Sequence, residues 1–203
     1  MKVQITEKSD NELKFVLEES NPQFANALRR IIISEIPVLA VEDVDLTIND
    51  SVLYNEVLAH RLGMIPLVFN PKDFNFRDNC VCKGKGCSQC EVVFAINKKG
   101  SGMVYSKDMK SSNSDVKPLY DNIPIVELFD EQKIKLEAIA RLGTGRNHAR
   151  FKAANAAYQY SEDPTKFTFN IESVSCLKPE EIVMLAADVL KNKAKEFAKE
   201  IKK

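Results

Sequence analysis

The sequence predicts an α+β fold, and three observations lead to that class. Near the start, apolar residues alternate with polar ones at Val3, Ile5, Leu13, Phe15 and Leu17, the period of a half-buried strand. Two segments, one opening at Asn21-Pro22 and one at Pro179, instead repeat apolar residues at helical spacing. Between them, from Asn70 to about Ser114, the chain is rich in Lys, Gly, Asn and Ser and carries four of its five cysteines, the mark of short strands and loops.

Taken in order, Ser9-Asp10-Asn11 separates the first two alternating runs, so they form a hairpin. Asn21 then supplies a helix cap and Pro22 a first-turn proline; Phe24, Leu28, Ile31 and Ile32 follow the helical period, and Pro37 ends the run. The triplet Ile31-Ile32-Ile33 makes this helix apolar over more than one stripe, which leaves surface for a partner chain. Val44, Leu46 and Ile48 alternate as a strand. Asn49-Asp50-Ser51 turns into a second helix through Leu53, Val57, Leu58 and Leu62, stopped by Gly63 with Pro66 beyond. Short strands are expected at Val92 to Ile96, Met103 to Tyr105, Ile125-Val126 and Ile134 to Ala140, then an exposed turn at Gly143-Thr144-Gly145-Arg146-Asn147, then a strand at Phe167, Phe169 and Ile171. The last segment is a long helix with Glu180 and Glu181 at its positive end and lysines toward its negative end. Its apolar positions, including Leu185, Val189, Leu190, Phe197 and Ile201, continue over roughly five turns, more than so small a domain covers by itself.

A chain of 203 residues with 44% hydrophobic composition buries one good core or two small ones without staples. Lysine plus arginine and aspartate plus glutamate both number 29, so the zero net charge argues against wholesale binding to nucleic acid or anionic lipid. No apolar run approaches the roughly 18 residues of a membrane span, and Met1-Lys2-Val3-Gln4 opens no secretory signal, so a cytoplasmic location is expected. There is no phosphate-binding glycine loop, no acidic metal cluster of the polymerase type, and no nucleophile placed beside His60 or His148. The sequence therefore reads as a protein that is not an enzyme on its own.

Three stretches carry a family resemblance. Asn26-Ala27-Leu28-Arg29-Arg30-Ile31-Ile32-Ile33-Ser34-Glu35-Ile36-Pro37 is the first. The second runs from Asn49 to Leu67 and includes Glu56-Val57-Leu58-Ala59-His60-Arg61-Leu62-Gly63-Met64-Ile65-Pro66-Leu67. The third is Gly143-Thr144-Gly145 with His148-Ala149-Arg150-Phe151. They resemble the family that comprises the D-type subunit of archaeal RNA polymerase, the third-largest subunit of eukaryotic RNA polymerase II and, more distantly, the bacterial alpha subunit.

The resemblance implies a split dimerisation domain formed by both termini, residues 1–48 and 165–203, interrupted by a mostly-β inserted domain, residues 49–164, with its cysteine loop at 80–90. It implies a non-catalytic assembly platform of a DNA-directed RNA polymerase, a nucleotidyltransferase complex engaged in transcription. Such a platform pairs with a partner resembling the smaller subunit L, gathers other small and large subunits, and meets DNA only through the complex. The expected partner surface comprises Phe24, Leu28, Arg29, Arg30, Ile31, Ile32, Leu185, Val189, Leu190, Phe197 and Ile201. The chain ends at Lys203 without the DNA-binding C-terminal domain expected of the bacterial subunit and has a cysteine loop which that subunit lacks, pointing to the archaeal or eukaryotic branch, with the short length favouring the archaeal.

Cys80, Cys82, Cys87 and Cys90 read C-x-C-x4-C-x2-C, four thiolates able to close a tetrahedral shell around one structural zinc ion, with Gly84 and Gly86 letting the backbone double back. Lys83 and Lys85 are expected to offset the site's charge and lower the thiol pKa values. An iron–sulfur cluster is the rival. Some archaeal relatives carry one in an extra segment, but the spacing differs from the ferredoxin pattern and no cysteine lies between His148 and Phe167. Metal-free thiols or disulfides complete the alternatives. Two other functions stay open: a free-standing zinc-containing nucleic-acid adaptor whose Lys-rich loop touches phosphate, and an enzyme with a site in the inserted domain.

Overall fold

The computed structural model describes residues 1–202. The strands β1 (Lys2–Lys8) and β2 (Glu12–Glu18) form the expected hairpin, paired from Lys2 with Glu18 to Lys8 with Leu13. In α1 (Pro22–Ser34) the Phe24 N–H donates to the Asn21 side chain at 2.8 Å and the Glu35 N–H to the Ile31 carbonyl, so both ends are satisfied. The strand β3 (Pro37–Asn49) starts well before the expected Val44, because Val38, Leu39, Ala40 and Val41 are all buried and leave no alternation to read.

The helix α2 (Asn55–Gly63) begins later than Ser51 because the Asn49 side chain bonds the Leu53 carbonyl, Asn55 and the Ser51 hydroxyl and holds residues 49–54 in a turn. Then come β4 (Leu67–Val68), β5 (Glu91–Lys99), β6 (Gly102–Tyr105), β7 (Lys110–Ser111), β8 (Lys117–Pro118), β9 (Pro124–Leu128) and β10 (Lys133–Thr144). The strand β11 (Ala154–Tyr160) was not anticipated. Its alanines have weak strand preference, and its pairing with β12 (Phe167–Ser173) from Ala154 with Ser173 to Tyr160 with Phe167 supplies what propensity lacks. The helix α3 (Pro179–Ile201) closes the described chain.

The chain divides into two compact units. One combines Met1–Pro37 with the residues from Thr144 onward, and the other is Val38–Gly143. The seams expected from sequence lay at 48/49 and 164/165; in the structure β11 shares its sheet with β12, β2 and β1 in the first unit.

In that first unit the antiparallel sheet has the order β1-β2-β12-β11, with α1 against β11 and α3, and α3 against β12 and β2. Phe15 and Phe169 stack with ring centroids 4.9 Å apart, and Ala25, Leu28, Ile31, Ile32, Ile182 and Ala186 are buried on the helices. Burial ends there along α3: every residue from Lys191 to Ile201 is exposed. In the second unit the order β3-β10-β5-β7 makes the main sheet, joined by the short pairs β4-β8 and β6-β9. Ile134, Leu136, Ala138 and Ala140 on β10 and Val92, Phe94 and Ile96 on β5 form its core. Arg61 anchors α2 by donating to the Ile125 carbonyl at 2.8 Å, with Leu58 and Leu62 fully buried beneath. No described helix is long and apolar enough to cross a membrane.

The turn at Gly143–Asn147 is not the free surface turn expected. Gly143 is buried, the Arg146 N–H donates to the Ser34 carbonyl at 2.9 Å, and a Cβ on Gly145 would collide with the Ile33 carbonyl. Only a glycine lets that backbone lie so close to the end of α1.

Candidate metal centre and interaction surfaces

The cysteine loop connects the turn after β4 to the start of β5. Cys80 and Cys90 are buried, Cys82 and Cys87 partly so. The sulfurs of Cys80 and Cys87 lie 3.5 Å apart, those of Cys82 and Cys90 3.6 Å, and those of Cys87 and Cys90 3.8 Å; all four fall within 4.8 Å of one another. Four thiolates bonded to one ion at about 2.3 Å in a tetrahedron stand about 3.8 Å apart, so the cage fits a single ion. Disulfide sulfurs would be about 2.05 Å apart, so none of the four cage cysteines is in a disulfide. A multi-iron cluster would also push thiolates on different irons further apart than one ion does. The residues therefore fit a mononuclear metal site.

The backbone explains how so short a loop gathers four sulfurs. Lys83, Gly84 and Gly86 take φ values of 53°, 79° and 90°, left-handed conformations in which glycine is unstrained. The Lys83 N–H donates to the Cys80 carbonyl, Lys85 to Cys82, and both Cys90 and Glu91 to Cys87. From outside, Arg77 Nε donates to the Gly84 carbonyl at 3.0 Å and the Asn75 N–H to the Gln89 carbonyl at 2.8 Å.

The thiols are not equivalent. Burial opposes ionisation of Cys82, but hydrogen bonds from Cys80, from Cys90 and from the backbone N–H groups of Gly86 and Gly84 outweigh it and lower its pKa to about 6. Burial pushes Cys90 up to about 12, although the Cys87 backbone works the other way. At Cys80 the Cys82 backbone favours the thiolate, yet burial and the thiols of Cys87 and Cys82 together raise the pKa. Burial, neighbouring sulfurs and backbone amides move these thiols; Lys83 and Lys85 are not among the main causes, unlike the pKa-lowering role expected of them.

The residues expected to meet a partner separate into two groups. Leu28, Ile31 and Ile32 are buried in the first unit, and Ile32, at 0% exposure, has no area left to offer. Phe24, Arg29, Leu185, Val189 and Leu190 are half-buried, Arg30 is exposed, and Phe197 and Ile201 are each 69% exposed. Sequence reasoning missed residues around them. Val3 and Ile5 on β1 and Met184 on α3 are exposed and line, with Phe15, Phe24 and Val183, an almost wholly apolar cleft of about 320 Å³. Their alternation marked Val3 and Ile5 as one strand face without saying whether the chain covers it. A second, polar cleft of about 560 Å³ gathers Arg29, Arg30, Arg146 and Lys193 with Glu35. Lys193 pairs with Glu35 at 2.6 Å and Arg29 donates to Asn26 at 3.0 Å. The two histidines carry no catalytic geometry: His148 Nδ1 accepts from the Arg150 backbone and side chain at 3.1 Å as a turn cap, and His60 is exposed on α2.

Fold and loop together define a class, an α+β protein in which both ends of the chain build one unit and a β-rich unit bearing a four-thiolate cage is inserted between them. Comparison with known proteins supplies the family. The profile of the RNA polymerase Rpb3/RpoA insert domain matches residues 44–160, more than half of the chain. The chain is 45% identical over 150 residues to the DNA-directed RNA polymerase subunit Rpo3 of Archaeoglobus fulgidus, covering 74% of this chain and 57% of that protein. It is 43% identical over 164 residues to the subunit of the same name from Methanothermobacter thermautotrophicus, covering 79% and 62%. With that of Methanosarcina mazei it shares 46% identity over 157 residues, covering 77% and 59%. The chain belongs to the RNA polymerase Rpb3/RpoA insert-domain family, and it spans about six tenths of the length of these relatives.

Proposed function

We propose that this protein is a non-catalytic assembly-platform subunit of an archaeal-type DNA-directed RNA polymerase. In this reading the unit built from both chain ends is the dimerisation domain, pairing with a smaller partner resembling subunit L. The observation that carries the reading is α3: its apolar positions run on to Phe197 and Ile201 after the chain's own cover has ended. Burying one such side chain contributes about 1.5–3 kcal/mol, so the stripe formed with Leu185, Val189 and Leu190 stabilises a partner helix substantially. The apolar cleft beside β1 extends the same surface, and the polar cleft with Arg29, Arg30 and Arg146 offers guanidinium forks for the rim of a contact with a larger subunit. Val52, Tyr54 and Val57, exposed in and before α2, add a further surface for neighbouring subunits.

The cysteine cage holds one structural zinc ion in this reading. Four protein sulfurs leave no position for substrate or water, and the ion would lock residues 80–90 in place. Contact with DNA is indirect, through the complex, and the location is cytoplasmic. Co-expression with an archaeal subunit-L protein tests the proposal: a stable one-to-one complex is expected, with about one zinc per chain in a colourless protein. A lone chain that stays monomeric beside that partner would overturn it, and a steep salt-dependent affinity of the isolated chain for DNA would favour an adaptor instead.

A further inference from the structure

One path of contacts leads out of the cysteine cage into the sheet beside it. Glu91 directly follows Cys90, and in the β10–β5 register it stands opposite Arg141. Arg141, with only 12% of its side chain exposed, holds Glu91 through Nε at 3.3 Å and reaches Asp43 and Glu42 of β3 through Nη1. The Glu91 carboxylate in turn lies over the backbone of Gly86, so closely that a Cβ there would collide with it. Gly86 directly precedes Cys87, whose sulfur lies 3.5 Å from that of Cys80 and 3.8 Å from that of Cys90. The path thus runs from Arg141 to Glu91 to Gly86 and on to Cys87.

An ordinary cross-strand ion pair would leave the glutamate free to turn to water. Here it is fixed against a loop whose four sulfurs become thiolates on binding an ion, and a further negative charge there is unfavourable unless a cation compensates it. Arg141 is that cation. We infer that Glu91 and Arg141 are positioning residues of the metal centre. Glu91 presses Gly86 into its left-handed conformation, and Arg141 neutralises Glu91 and ties it to β3, so that the sulfurs are arranged before an ion arrives. This rests on the cage being a metal site, as proposed above. Groups that orient ligands without touching the metal are worth about 10–100-fold in affinity, and the same scale is expected here.

The test uses the full-length reduced chain, zinc and a chromophoric chelator in competition. Glu91→Ala and Arg141→Met should each weaken zinc binding about 10–100-fold with all four thiols intact, and the double variant should be no weaker than Glu91→Ala, since Arg141 acts through Glu91. Lys98→Met, which breaks the Lys98–Asp108 pair elsewhere in the same unit, should leave affinity within about twofold. Wild-type affinity in Glu91→Ala would overturn the inference. Amide hydrogen exchange of the zinc-free chain gives a readout independent of the ion: Gly86 should exchange about tenfold faster in Glu91→Ala while Phe94 in the sheet is unchanged. If wild-type chain binds no zinc, the metal reading fails by itself, and the brace still stands or falls on that exchange rate.

Discussion

The cysteine loop and the far half of α3 are opposite solutions to the problem of burying what a chain cannot leave exposed. The loop gathers its ligands within residues 80–90 and is tied from outside by Arg77 and by Glu91 through Arg141, so the chain itself completes the cage and needs only an ion. In α3 the apolar pattern runs past the point where the chain has anything to pack on it, leaving Phe197 and Ile201 uncovered. Local spacing can gather four sulfurs, whereas a helix of 23 residues is longer than the sheet beneath it and leaves its last apolar positions uncovered by the described residues.

Removing the ion is the strongest way to break the first half of this comparison. Structural zinc sites in small peptides bind with about 10–16 kcal/mol of apparent free energy, and even a fraction of that, added to a unit with its own core, is large. A chelator, or Cys90→Ser, should lower the unfolding midpoint of the Val38–Gly143 unit by roughly 10 °C or more and speed exchange of the first β5 amides. Amides of β2 and β12 in the other unit should be unaffected. Equal loss in both units would mean that the loop is not a local device.

Phe197→Asp sharpens the second half. In the lone chain Phe197 is exposed, so its replacement should change stability by less than about 0.5 kcal/mol. In the complex with a subunit-L-like partner it buries an unpaired charge at a cost of several kcal/mol, so pairing should fall by about 100-fold or more while zinc content stays at one per chain. Leu28→Ala should do the reverse, costing about 2–5 kcal/mol in the lone chain because Leu28 already lies in the core. Denaturant titration of the lone chains and size-exclusion chromatography of the co-expressed pairs read the two effects separately.

That contrast also marks where the sequence was legible. The caps of α1, the alternation of β10 and the grouping of the four loop cysteines were readable because each depends on residues within a turn or two of one another. Ile32 was not. Its place in an apolar triplet says that it is buried but not by what, and β11 and α3 of the same unit do the burying. The strand β11 was invisible because Ala154, Ala156 and Ala157 acquire their conformation from β12. Gly86 reads in the sequence as a glycine that lets the backbone double back, which its φ of 90° bears out, but the Glu91 carboxylate lying over it is revealed only by the fold. The polar cleft brings Arg146 and Lys193 to Arg29 and Arg30 from more than a hundred residues away, a distance over which no spacing rule operates.

A smaller effect tests whether local capping counts as much as the loop's own ties. Asn21→Ala removes the acceptor for the Phe24 N–H and should destabilise the first unit by about 0.5–2 kcal/mol, with Asn21→Ser largely restoring it. No loss in the Ala variant would mean that packing of α1 on β11 and α3 alone fixes its start.

The smallest expected effect concerns Asp108, which closes a turn in the inserted unit as Glu91 closes the cysteine loop. Its carboxylate accepts from the Tyr105 N–H at 2.8 Å and pairs with Lys98 at 2.9 Å, and Lys98 also donates to the Met103 carbonyl. Burial opposes the charge, but the Tyr105 N–H and Lys98 outweigh it and hold the pKa below its ordinary 3.8. A carboxyl whose folded pKa is depressed stabilises the fold above the unfolded value and loses that contribution as pH falls through the folded one. Asp108→Asn should therefore cost up to about 1 kcal/mol at pH 7, and its deficit relative to wild type should shrink as the pH falls below about 4, where wild type protonates. Urea midpoints of the two zinc-free chains at both pH values measure it; a deficit independent of pH would show that geometry, not charge, is what Asp108 contributes, unlike the charge-balanced pair beside the cysteines.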